Sequence, residues 1–311
     1  MSDLRQQTDS GYALLNARNI EGATRVFRSV LAEDAENWDA LEGLVHCALP
    51  ERRDEALELI SRLRHLRPDD PYPDFLEAQA WLESSKASDR KKAIALCETA
   101  CERMPRFAAA HQLMGRIYAR HERRDAAETA YRQALNLAPN NAQILADLSF
   151  LLQQMGRQRE ADQLSLRAVE QNPNSATALV ARGETALLKG DLREAEDLAL
   201  SALQRDANHG GAITLLVSVK ARRNPIMGIW WRWAIFMDRL GSGWARWGVV
   251  IGIWALWQVF RRTALADAPA WVQWTGLGLY FAFCLLTWFG PMIFNRMIRA
   301  ELRKVQIKPG F

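Results

Sequence analysis

Residues 108–141, AAAHQLMGRIYARHERRDAAETAYRQALNLAPNN, decide the fold. Small residues stand at Gly115 and Ala127, aromatics at Tyr118 and Tyr131, a further small residue at Ala134 and a proline at Pro139. Each position has a physical task. Small residues let two helices approach closely, larger apolar ones fill the space between neighbouring pairs, and the proline ends the second helix.

The scheme recurs without gaps in residues 142–175, with Gly156, Ala161, Ala168 and Pro173, and in 176–209, with Gly183, Gly190, Ala195 and Ala202. A 34-residue period is the mark of stacked helical pairs, none of which buries its apolar side alone. Upstream, Ala23 and Phe27 mark a first unit, Ala56 and Pro68 a second, and Ala93 and Pro105 a third. Units two and three need insertions, near residues 50–53 and 84–88, read as longer turns. Ser149 and Ala207 take the places of an expected Gly and Pro.

This signature resembles the tetratricopeptide repeat, and the chain as a whole resembles bacterial membrane-anchored proteins of that type. The resemblance implies an all-α solenoid of about six repeats with a concave groove along the first helices. Residues 210–223 read as a final helix covering the last repeat, and Asn224-Pro225 breaks it. The first domain is therefore expected to span 1–223, without strands.

Ligands of this family usually lie along the first helices. The matching positions here are Gln112, Arg116 and Arg120, then Phe150, Gln153 and Gln154, then Val180, Glu184, Leu187 and Leu188. Such a surface, running from basic to apolar, fits a peptide with apolar anchors and a nearby acid. The alternative is that Phe150, Leu187 and Leu188 pack against neighbouring helices or the capping segment. Chaperone-binding members hold a C-terminal carboxylate with a Lys and Asn set. Gln112, Arg116 and Asp147 stand there instead, so that role is disfavoured.

Beyond Asn224 the composition changes abruptly, for ten of the twelve Trp residues lie there. Residues 268–295 form an uncharged run of 28, about 42 Å of helix against a hydrocarbon core of roughly 30 Å. A spanning helix is expected over about 271–294 and a second over about 244–261, in a hairpin domain 244–311. Residues 224–243 are expected to form a helix in the membrane interface, anchored by Trp230, Trp231 and Trp233 with Arg232 and Arg239. Basic residues flank the hairpin on both outer sides, while only Arg261 and Arg262 lie between the spans. By the positive-inside rule both termini then face the cytoplasm, on a multi-pass cytoplasmic (inner) membrane protein. The polar N-terminus shows no secretion signal, which agrees with that placement. Gly248 with Gly252 and Gly278 with Ala282 would also permit a homo-oligomer through the hairpin.

No phosphate-binding glycine loop, metalloprotease helix motif, nucleophile elbow or zinc-type Cys/His spacing occurs. Four cysteines without CxxC pairing read as reduced packing residues, and the five histidines are scattered. The net charge of +4 is concentrated beside the membrane segment, favouring lipid headgroups over nucleic acid. The expectation is a scaffold or adaptor, not an enzyme, with no cofactor or metal, holding protein partners at the bilayer. The alternative is a structural subunit of a larger secretion or transport complex, joined through its hairpin.

Overall fold

The computed structural model describes residues 2–223 other than Glu83 and Ser85, together with Gln258. Among the described residues there are thirteen α-helices and no strand. The predicted interfacial helix 224–243 and hairpin 244–311, with Trp230, Trp231, Arg232, Trp233 and Arg239, lie outside the described residues, Gln258 apart. Within them, no helix is long and apolar enough to cross a membrane.

The helices come in consecutive pairs: α1 (Ser2–Asn16) with α2 (Ile20–Glu33), α3 (Trp38–Ala48) with α4 (Arg53–Leu66), α5 (Tyr72–Trp81) with α6 (Ala87–Arg103), and α7 (Ala108–Arg120) with α8 (Arg124–Leu137). Next along the chain come α9 (Ala142–Gln154), α10 (Gln158–Gln171), α11 (Ala176–Lys189), α12 (Leu192–Arg205) and α13 (Gly210–Arg223). The molecule divides into two compact units, Met1–Leu164 and Ser165–Phe311, with the division inside α10.

In the first unit each second helix also packs on the first helix of the next pair, as α2 does on α3 and α8 on α9. The core is built where small residues admit large ones. Phe27 is fully buried, and a methyl group at Gly43 would sit 2.3 Å from its Cζ. The same holds at Gly115, where an added methyl would come within 2.6 Å of the Tyr131 ring. Both glycines are thus required by close approach rather than by backbone conformation. Ser149, which departs from the expected glycine, is fully buried and donates from Oγ to the Ala161 carbonyl at 2.8 Å. That hydrogen bond explains how a hydroxyl is tolerated between α9 and α10.

The boundaries follow local chemistry. Asn37 and Asn141 cap α3 and α9 by accepting backbone N–H bonds with their side-chain oxygens. The insertion at 50–53 lies mostly in the turn before α4, as expected. The one at 84–88 differs, because Ala87 and Ser88 form the start of α6, a 17-residue helix. With Asp89 in that first turn, the N-terminal dipole favours continuing the helix over lengthening the loop.

In the second unit α11 pairs with α12, and α13 packs on both. Leu215 and Val219 of α13 are 1% and 0% exposed, so this helix closes the end of the repeats as a covering element. His209 caps it, its Nδ1 accepting from the Ala212 amide at 3.2 Å.

Candidate functional site

The site is a pocket of about 440 Å³ in the first unit. Its walls are the first helices α7 and α9, which bring Arg116 and Arg120 from one side and Phe150 and Gln154 from the other. Each pair is spaced i, i+4, the spacing that sets two side chains on one helical face. Tyr131 of α8 forms the floor, and Leu82 and Leu151 add apolar surface. Asp147 of α9 also faces this space.

Asp147 is the electrostatic centre. Its carboxylate accepts from Gln112 Nε2 at 2.7 Å and from Gln143 Nε2 at 3.1 Å. Burial holds its pKa above the ordinary carboxylate range, against the Gln112 hydrogen bond and the positive charge of Arg116, which pull it down. Tyr131 is 3% exposed. Its phenol is pushed up first by burial and then by the charge of Asp147, with Arg116 opposing. Both arginine side chains are exposed at the pocket mouth, beside a half-buried acid.

The residues picked out along the first helices separate into three groups. Arg116, Arg120 and Phe150 line the pocket, with Gln154 beside them. Gln112 and Gln153 brace it from behind, the first through Asp147 and the second by donating to Ser149 Oγ at 3.5 Å. The remaining residues belong to the second unit. Val180 is 1% exposed and Leu187 8%, so these two offer almost no surface. A methyl group at Gly211 of α13 would stand 3.3 Å from Val180 Cγ1, and Arg222 Nη1 donates to the Leu187 carbonyl at 2.6 Å. Glu184 is half-buried and pushed up to about 7 by burial, while Leu188 remains 43% exposed.

Tyr131 and Leu82 join the site without having been read as binding residues. Tyr131 carries the repeat's packing position, and its ring does pack, against Gly115. The same residue also lines the pocket, and spacing along the chain carries no signal for that.

A second hollow of about 360 Å³, between α6, α7 and α8, has Glu98, Cys101, Glu102 and His111 on its lining. Several of its polar groups already have partners. Tyr118 donates to Glu98 at 3.2 Å and His111 Nε2 lies 3.0 Å from the Pro105 carbonyl. Among the described residues no cluster of His, Cys, Asp or Glu has the makings of a metal site.

Residues 108–141 match a family model of the tetratricopeptide repeat, and residues 151–210 match a second one. Over 166 residues the chain is 32% identical to cellulose synthase operon protein C of Xanthomonas axonopodis pv. citri (strain 306). That alignment takes in 50% of this chain but only 10% of the relative, so the chain spans about a tenth of the relative's length. Among solved structures, a thermophilic TPR protein of Thermus thermophilus superposes with a TM-score of 0.55 at 24% identity, covering 59% of this chain and 99% of its own. A tetratricopeptide-repeat protein of Parabacteroides merdae ATCC 43184 gives 0.56 at 15% identity, covering 70% and 84%. PilW, a type IV pilus biogenesis factor, gives 0.50 at 16% identity, covering 70% and 99%. At these identities the structural likeness establishes the fold alone: the described helices are all-α pairs of the tetratricopeptide-repeat kind.

Proposed function

We propose that this tetratricopeptide-repeat chain is a membrane-anchored scaffold that recruits a protein partner at the cytoplasmic face, and is not an enzyme. The observation that carries the recruiting role is the pocket between α7 and α9. Two exposed arginines and Phe150 converge there on space of a size suited to ligand side chains. Charge at the rim steers an acidic partner, and the ring gives an apolar side chain a seat.

Anchoring rests on the uncharged run 268–295 and on the apolar stretch before it. Helices over about 244–261 and 271–294, preceded by an interfacial helix over 224–243, would hold the repeats at the bilayer with both termini in the cytoplasm. Confinement to a surface raises the effective concentration of scaffold and membrane-bound partner without any new contact. Assembly of a larger complex is the role that fits both this reading and the alternative of a subunit joined through its hairpin. The partial likeness to a cellulose synthase operon protein supports that class of role.

The test is recovery of partners with the full-length protein from its own membranes in mild detergent, beside a variant carrying Arg116→Ala, Arg120→Ala and Phe150→Ala. A partner present with the parent and missing from the variant is expected. A partner recovered equally with both moves recognition away from the pocket, towards the hairpin.

A further inference from the structure

Tyr131 is buried over nearly all its surface, yet its hydroxyl makes no hydrogen bond among the described residues. Nor is that oxygen sealed in the core, since it is not among the fully enclosed polar atoms without partners. It opens into the pocket beside Arg116 and Asp147. A phenol held in a core position and aimed at open space is a donor awaiting an acceptor.

We propose that the floor of this pocket binds the side-chain carboxylate of a partner peptide, with the Tyr131 hydroxyl and the Arg116 guanidinium as its two donors and Asp147 as the residue that makes binding depend on pH. This rests on the reading of the pocket as a peptide site and specifies the chemistry it selects. Phe150 takes the apolar residue next to the acid.

The geometry divides the labour. Arg116 makes no ion pair or hydrogen bond among the described residues, so its donors are available to the ligand. A carboxylate accepts from guanidinium and phenol at once, and both bonds are charge-assisted. Asp147 lies beside the same space with two of its acceptor sites already used by Gln112 and Gln143. The charged and titratable groups lining the same space are Arg116 and Arg120 from α7 and Tyr131 from α8, of which Arg116 acts on Asp147, while its neighbours on α9 in the pocket, Phe150, Leu151 and Gln154, carry no charge. A second carboxylate arriving in this half-buried place is repelled by ionised Asp147 and accepted by the protonated form. Binding is therefore accompanied by proton uptake at Asp147, and it tightens as pH falls so long as the ligand acid stays ionised.

The full-length protein in detergent is titrated with acetyl-Glu-Leu-amide and with acetyl-Gln-Leu-amide, each to about 10 mM because so few atoms bind weakly. The Glu fragment is expected to bind about tenfold tighter than the Gln fragment. Tyr131→Phe, which keeps the ring against Gly115, is expected to cost the Glu fragment about fivefold and leave the Gln fragment unchanged. Asp147→Asn is expected to abolish the tightening as pH falls, read at pH values where the fragment's glutamate stays ionised. Acetyl-leucine, whose carboxylate is terminal, tests the other source of the same group. If it outbinds the Glu fragment, a side-chain acid is not the ligand. Equal binding of the Glu and Gln fragments overturns the inference, as does absence of binding by either. So does a Tyr131→Phe loss shared by both fragments, which marks a packing role. The peptide reading of the pocket has its own readout in partner recovery, so the two ideas fail separately.

Discussion

At the residue scale the second unit holds a carboxyl group whose ordinary state at neutral pH is disfavoured. Burial alone pushes Glu184 up to about 7 from an ordinary 4.5. Because the folded chain favours the neutral form, this group's stabilising contribution is complete below pH 4.5 and is lost as pH rises through 7. Glu184→Gln, neutral throughout, should therefore gain about 1 kcal/mol at pH 8 after allowance for partial exposure, and should match the parent near pH 4.5. Urea denaturation of the detergent-solubilised chain, followed by helical circular dichroism at the two pH values, checks it. A gain of equal size at both would show that packing, not ionisation, sets the cost.

At the element scale, α4, α5 and α6 are tied by an ion network centred on Glu77, which is only 7% exposed. Arg64 Nη2 donates to it at 2.8 Å, Lys92 Nζ at 2.6 Å and Trp81 Nε1 at 3.3 Å, while Arg64 also reaches Asp74 at 2.9 Å. Burial pushes the Glu77 carboxyl up, but the bonds from Lys92 and Arg64 outweigh it and hold the group below its ordinary value. The network stabilises where Glu77 is ionised and weakens as pH falls through the carboxylate range. Glu77→Ala should cost about 2 kcal/mol at neutral pH, since its partners are themselves half-exposed and regain water. The difference should shrink towards pH 3 in the same urea experiment; a constant cost would make it a packing effect. This network was not legible in the sequence, because Arg64, Glu77 and Lys92 meet only once three helices have packed. The helices themselves were legible, since the repeat's small residues and the terminating Pro139 act through spacings a few residues long.

At the scale of the whole molecule, the proposed arrangement sets a solenoid on the inner face of a bilayer with two basic flanks held on the same side. Protease added to inverted membrane vesicles should then shorten the chain from both ends, and sealed right-side-out vesicles should protect both. Cleavage of one terminus from the outer face would leave a single span and remove the hairpin.

The sequence by itself determined the repeat. The positions of Ala127 and Ala134 recur at a fixed period in both following units, and those of Gly115 and Pro139 in one each, and helix pairing follows from local spacing and the need to bury one face. The family resemblance carried by that repeat also pointed to Arg116, Arg120 and Phe150, which stand at first-helix positions where such proteins usually hold ligands. Tertiary structure alone decided what those residues surround. That the Tyr131 hydroxyl is open while its ring is buried, that Asp147 sits between two glutamines, and that α13 packs over Val180 depend on residues far apart in the chain. Contacts of that kind are set by packing and desolvation, which periodicity does not encode.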